Sequence, residues 1–198
     1  MPYVIVFLLF FVALLPRDAQ AHLASFGSWE ITEKHLKTLF PDAATFRVKR
    51  TSFSPSQVEN IERELGFKLY PEDKNPTFYV ALKDADNPRS ILGVAMFIDP
   101  RVESTISDAT VRLEVGIAVG RRGQIHRVRV LDYRGDPKLM SPKFADQLNG
   151  LTLKSNFVID TNERLTAIDA MEKESQLVAN AAKEALYLMK ISLGKKKK

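Results

Sequence analysis

The chain has 198 residues, 45% of them hydrophobic, and it contains no cysteine. This length suits one domain with a substantial core, and the lack of cysteine excludes disulfides, thiolate metal sites and iron–sulfur clusters. The formal net charge of +5 comes mostly from four C-terminal lysines, and no basic stripe is interleaved with aromatic residues, so we do not expect a nucleic-acid partner.

The first 21 residues have the pattern of a secretory signal peptide. Residues 4–15 form an unbroken run of 12 apolar residues, followed by Pro16 and by a small-residue ending at Ala19 and Ala21. Twelve helical residues span roughly 18 Å, which is short of a hydrocarbon core of about 30 Å, and the Ala-x-Ala ending suits a processing peptidase. We expect a periplasmic or other extracytoplasmic protein, cleaved near Ala21. Retention as an uncleaved anchor is the alternative.

Two helices are predicted before the main run of strands. Residues 30–40 place apolar side chains on one face, and Pro41 stops this helix. The second helix begins at Ser54, which forms a capping box with Gln57, and it ends at Gly66. Both helices are expected to bury one apolar stripe.

Four strands are predicted next, at residues 77–83, 90–98, 110–119 and 124–133. Each is rich in β-branched and aromatic residues, and Gly120 to Gly123 join the last two at hairpin length. Short loops between consecutive strands favour an antiparallel meander.

The C-terminal part is predicted to be helical. One helix begins at Ser141 and stops at Gly150, a loop runs to about residue 165, and a final helix covers residues 172–191. Together the segments indicate one α+β domain over residues 22–194, with an antiparallel sheet of about four or more strands and the helices packed on one side.

A basic tail ends the chain at residues 195–198. Its four lysines would be attracted to an anionic membrane surface, and the alternative is a solubilising terminus. The lysines are Lys195, Lys196, Lys197 and Lys198.

Short segments of the mature chain stand in a specific order: LFPDA at 39–43, GF at 66–67, FYVA at 78–81, LGVAMF at 92–97, VGI at 115–117, VRVLDYR at 128–134 and FADQLNG at 144–150. This series resembles the exported FMN-binding domain family, which includes subunits of ion-pumping NADH:quinone and ferredoxin:NAD oxidoreductases. The resemblance implies an electron-transfer or accessory protein of an envelope redox complex rather than a self-contained enzyme.

In that family, a segment of the form Ser/Thr-Gly-Ala-Thr-x-Ser/Thr-Ser opens the last helix, and its threonine carries FMN through a phosphoester bond. A helix N-terminus offers free N–H groups and a partial positive charge to the phosphate. Glu172 stands at the position of the attachment threonine, and only Ser175 fits the pattern. The aligned residues are Asp169, Ala170, Met171, Glu172, Lys173, Glu174 and Ser175.

This departure argues against covalent FMN at the start of the helix, because a carboxylate cannot form the phosphoester. The resemblance then implies noncovalent FMN, with an aromatic and a cationic contact after the last strand. Gly135 stands where the family usually has an acidic residue. Modification of Thr161 or Thr166 is the alternative. The implied cofactor-binding residues are Tyr133, Arg134, Asp169, Ala170, Met171, Glu172 and Ser175.

Three functions are compatible with this sequence. The resemblance favours a periplasmic carrier of flavin-linked electrons that holds FMN noncovalently. The replacement at Glu172 favours a flavin-less structural or interaction subunit of an envelope redox complex. The acidic residues around Asp169 and Glu172 would suit an exported protein that binds a metal or a small ligand. No Gly-x-Ser-x-Gly elbow or metal-ligand spacing is present in the sequence, and we assign no catalytic residue.

Overall fold

The computed structural model describes residues 28–103, 110–160 and 164–193. The predicted signal peptide, the basic tail and Thr161 lie outside these residues. The elements in chain order are α1 (Trp29–Leu39), β1 (Thr45–Arg50), α2 (Pro55–Leu65), β2 (Thr77–Leu82), β3 (Ile91–Ile98), β4 (Arg101–Glu103), β5 (Thr110–Gly120), β6 (Ile125–Tyr133), α3 (Pro142–Ala145) and α4 (Glu172–Leu193). Short 3-10 turns lie at Glu72–Lys74, Pro137–Met140 and Asp146–Leu148. Within the described ranges, no helix is both long and apolar enough to cross a membrane.

All pairings in the six-stranded sheet are antiparallel. From β1 the order runs through β2 and β3 to β5, and β6 pairs with the other edge of β5. Ile98 pairs with Val115 and Arg101 with Arg112, so β4 continues the register of β3 along β5. Between β3 and β4 lies Pro100, which has no N–H to donate. The predicted α+β class, antiparallel meander and four strands are confirmed.

Two strands are additions to the sequence prediction. β1 has the sequence TFRVKR, in which only Phe46 is buried. An edge strand with one buried side chain lacks the apolar alternation that marks a strand in sequence. β4 has only three residues and extends an existing strand past a proline.

Helices cover both faces of the sheet, which corrects the expectation that they pack on one side. α2 and α4 pack on the face that carries Phe78, Met96 and Ile117. The opposite face, with Tyr79, Phe97 and Ala118, packs against Leu36 and Leu39 of α1. Neighbouring residues in a strand point to opposite faces of the sheet. The central strands carry apolar side chains on both faces. Each face therefore needs its own cover.

The capping prediction for α2 is confirmed. Ser54 Oγ accepts a hydrogen bond from Gln57 N at 3.3 Å, Gln57 Oε1 accepts one from Ser54 N at 2.9 Å, and Gly66 ends the helix at φ 83°. These contacts lie within a few residues of one another in the chain, so local sequence is sufficient to predict them.

The helix predicted from Ser141 to Gly150 is shorter than expected. It consists of the single turn α3 and a 3-10 turn at Asp146–Leu148. The Asp146 carboxylate accepts hydrogen bonds from Arg129 on β6 at 2.8 Å and from the Asn149 side chain at 3.2 Å. The contact with Arg129 ties this turn to β6.

Candidate functional site

The end of β6 and the start of α4 lie side by side. Tyr133, the last residue of β6, donates a hydrogen bond from its hydroxyl to Glu174 Oε1 at 3.4 Å. Burial, followed by the charge of Glu174 and this hydrogen bond, raises the pKa of the Tyr133 phenol. The structure therefore brings together the two regions that the resemblance assigns to flavin binding.

The turn before α4 has a backbone shape that favours glycine. Ala170 has φ 59°, the only positive φ of a non-glycine residue among the described residues. Met171 N donates to Ile168 O at 2.9 Å, and Ser175 N donates to Met171 O at 2.9 Å. The aligned family motif has glycine at the position of Ala170. The left-handed turn is thus present here without the glycine.

Ser175 has a structural role in this turn. Its side chain is fully buried, and its Oγ accepts a hydrogen bond from Ile168 N at 3.1 Å. Met171 is buried beside it at 5% exposure. Neither side chain faces solvent, and both hold the turn against the core.

The remaining predicted residues are on the surface. Arg134, Asp169, Ala170 and Glu172 are exposed. Glu172 and Glu174 both lie in the first turn of α4, where each carboxylate interacts favourably with the helix dipole by about 0.3–1 kcal/mol. The acidic side chains therefore stabilise the helix start without any bound anion.

A flavin phosphate does not fit this helix start. A phosphate placed at the free N–H groups would lie within one turn of Glu172 and Glu174, and like charges at that separation repel. The exposed residue at the attachment position is a carboxylate, and the hydroxyl of Ser175 is buried and already bonded. Covalent attachment is therefore not supported by the residues present.

Gly135 determines where the Tyr133 ring lies. A Cβ atom on Gly135 would stand 2.2 Å from Tyr133 Cζ and 2.3 Å from its hydroxyl oxygen. The ring therefore occupies the space that any larger residue at 135 would need, including the acidic residue usual in the family. The phenol is thereby directed toward Glu174.

Gly135→Ala is expected to displace the Tyr133 ring from Glu174. The phenol would lose its hydrogen bond, its pKa would fall back toward the ordinary value, and stability would drop by about 1 kcal/mol. Tyrosine ionisation followed by ultraviolet absorbance and urea unfolding measure both effects.

The matched variants are Tyr133→Phe, Gly135→Ala and the double variant. Because both single changes remove the same hydrogen bond, the double variant should be little less stable than either one. Fully additive losses would contradict this coupling. Arg134→Ala, a change at an exposed neighbour, is the neutral control.

Two further alternatives for this region are modification of Thr166 and a metal site at the acidic start of α4. Thr166 is exposed, and its backbone is held by Gln147 through hydrogen bonds of 2.9 and 3.2 Å. Within residues 28–103, 110–160 and 164–193, no group of three or more His, Asp or Glu residues is arranged to hold a metal ion.

A buried pair of carboxyl groups was missed by sequence reasoning. Asp73 and Glu184 are 2% and 3% exposed and are hydrogen-bonded to each other. Burial, with the nearby charge of Asp99, raises the pKa of Asp73 to about 7. Burial and the charge of Asp73 raise the pKa of Glu184 well above its usual range.

A weak sequence signal for this pair does exist. Glu184 lies three residues after Ala181 and four before Leu188, both of them buried, so it sits on the apolar face of α4. The partner Asp73 lies in the 3-10 turn that follows Pro71 and shows no such pattern. Only the folded chain brings the two together.

Comparison with known proteins does not assign a family. No protein-family model matches the chain, and no curated protein matches it. The resemblance to the exported FMN-binding domains therefore stays a prediction.

Proposed function

We propose that this chain is an extracytoplasmic relative of the FMN-binding domains that works without flavin, as a structural or interaction subunit of an envelope redox complex. The observation that carries the proposal is the chemistry of the start of α4, where Glu172 and Glu174 take the place of a phosphate. The hydrogen bond between Tyr133 and Glu174 links the end of β6 to this same helix start.

The family part of this proposal is supported by backbone shape. Ala170 adopts φ 59° at the position where the aligned motif has glycine, and α4 begins two residues later at Glu172. A left-handed alanine is unfavourable by about 1 kcal/mol relative to glycine. The strained conformation of Ala170 would be explained if the turn kept its left-handed shape after alanine replaced the glycine of the motif.

The first test is whether the protein carries flavin. Full-length protein from an exporting host that makes the flavin transferase should be colourless, should lack absorbance near 370 and 450 nm, and should show no mass increment of one FMN. A yellow protein, or a covalent increment on any residue, would contradict the flavin-less function.

The second test restores the attachment motif. Ala170→Gly, Met171→Ala and Glu172→Thr together should produce covalent flavin in that host, because the turn already has the required backbone shape. The matched control combines Ala170→Gly and Met171→Ala, retains Glu172 and should stay colourless. Failure of the triple variant, when it is folded by circular dichroism, would show that the site has diverged beyond these three residues, since Glu174 remains in the first turn of α4.

A noncovalent flavin carrier is the second candidate, and the left-handed turn at Ala170, where the aligned motif has glycine, is the observation that favours it. If it is correct, added FMN should bind with a dissociation constant in the micromolar range. Tyr133→Ala and Arg134→Ala should then each weaken binding about tenfold, since the resemblance assigns them an aromatic and a cationic contact with the flavin. Protein that does not change the fluorescence of added FMN would dismiss this candidate.

A further inference from the structure

A large cavity lies far from the start of α4, between the last turns of that helix and the end of the sheet. Its volume is about 700 Å³, within the range of small-molecule sites. The walls come from β2, β3, β5 and α4, together with one loop residue after α3. Its apolar side chains include Val80, Val94, Val119, Leu153, Leu186 and Met189.

Four cationic side chains from three separate segments surround this cavity. Arg89 comes from the turn between β2 and β3, Arg121 and Arg122 from the hairpin between β5 and β6, and Lys190 from α4. All four are exposed. Of the described residues that line the cavity, none is acidic. The charge at its rim is therefore entirely positive.

The combination of an apolar interior and a cationic rim specifies a ligand chemistry. An alkyl chain gains by leaving water for the interior, and an anionic head gains by remaining beside the guanidinium groups. A cationic ligand would be repelled by this rim. Small polar anions would leave the interior unfilled.

We propose that this cavity binds a single-chain anionic amphiphile, of the class of a free long-chain carboxylate. The chain would lie among Val80, Val94 and Met189, and the carboxylate would meet Arg121 and Arg122. This site is independent of the flavin question, because it lies at the opposite end of α4 from Glu172. Its tests therefore can fail or succeed without bearing on the proposed function.

Binding is tested by calorimetry with decanoate below its micelle concentration, on full-length protein. We expect saturable binding of one decanoate per chain. Decanol and decyltrimethylammonium should each bind at least tenfold more weakly. Each added methylene from octanoate to dodecanoate should tighten binding about three- to fourfold until the cavity is full. Binding that does not saturate, or that is equal for all three head groups, would overturn the proposal.

Two variants test the contributions of the cationic rim and of the apolar interior to binding separately. Arg121→Ala with Arg122→Ala should weaken decanoate at least tenfold and decanol less than threefold, since only the charged contact is removed. Val94→Trp should fill the half-buried interior and weaken both ligands at least tenfold. Lys143→Ala, an exposed cation outside the cavity, is the control and should change neither. Equal loss of both ligands in the double arginine variant would contradict the role of the rim.

Anionic membrane lipids also combine an anionic head group with alkyl chains. Vesicle binding distinguishes them from a free carboxylate as the ligand. Saturating decanoate should reduce binding to phosphatidylglycerol vesicles no further than Val94→Trp does, because the basic tail can hold the protein on an anionic surface by itself. Binding to vesicles without binding to monomeric decanoate would overturn the assignment to a free carboxylate.

Discussion

Raising the pH from about 4.5 to about 8 is expected to lower the free energy of unfolding by up to roughly 4 kcal/mol through the Asp73–Glu184 pair. Both pKa values are raised in the folded chain, that of Asp73 from 3.8 to about 7. Between the ordinary and the raised pKa, the folded chain binds more protons than the unfolded chain. The contribution to stability is therefore complete below about pH 4 and is lost as the pH rises through 7.

The source of this effect is the packing around the pair. Asp73 sits in the 3-10 turn before β2, and Glu184 reaches it from the sheet-facing side of α4. Both carboxyl groups are almost fully removed from water, and the charges of Asp99 and Glu72 add to the penalty for ionising Asp73. Arg101 offsets this only in part.

Glu184→Gln tests the origin of the pH dependence. The amide can still donate to Asp73, and the loss of one titrating carboxyl group should remove at least half of the slope. At pH 8 the variant should be more stable than the wild type by roughly 1–2 kcal/mol. Urea unfolding at pH 4.5, 6, 7 and 8 measures the profile.

Glu172→Gln is the matched control, because it changes an exposed carboxylate on the same helix. This variant should retain the wild-type dependence on pH. An unchanged slope in Glu184→Gln would show that the buried pair does not control it, as would a wild-type protein that gains stability from pH 4.5 to 8.

Gly93→Ala is expected to destabilise the protein by about 2–3 kcal/mol and to lower its melting temperature by roughly 5–10 °C. A Cβ atom at this position would lie 2.3 Å from the backbone oxygen of Val119 and 2.7 Å from Phe40 Cζ. The first of these atoms belongs to a paired strand and cannot move alone. The alanine would therefore separate β3 from β5, or it would displace Phe40 from the cluster that covers the second face of the sheet.

Gly120→Ala is a control from the same pair of strands. Gly120 pairs directly with Gly93, but a Cβ there would come no closer than 3.4 Å, to the flexible side chain of Gln124. We expect a change of less than about 0.5 kcal/mol. Differential scanning calorimetry of both variants decides the matter, and similar losses in the two would show that glycine conformation, and not the close approach, is responsible.

Elements that depend on near neighbours could be predicted from the sequence. The capping box of α2 joins residues three apart, the hairpin between β5 and β6 turns over four residues, and α4 follows from its helical repeat of small apolar side chains. In each case the deciding interactions lie within one or two turns of the chain. The strand predictions succeeded for the same reason.

The candidate site could be predicted only in part. The sequence located Tyr133 and the start of α4, and the structure brings them together through Glu174. It could not show that Ser175 and Met171 are buried, because their burial depends on how the turn at Ala170 packs against the core. The position of the Tyr133 ring over Gly135 is likewise a packing result.

By itself, the sequence determined the α+β class, the antiparallel order of the central strands and the acidic character of the last helix start, because local repeats and side-chain chemistry specify them. The tertiary structure decided that α1 covers the second face, that Asp73 meets Glu184, and that cations from three segments surround one apolar cavity. These features join residues far apart in the chain. Their energies come from burial and charge proximity, which exist only once the chain has folded.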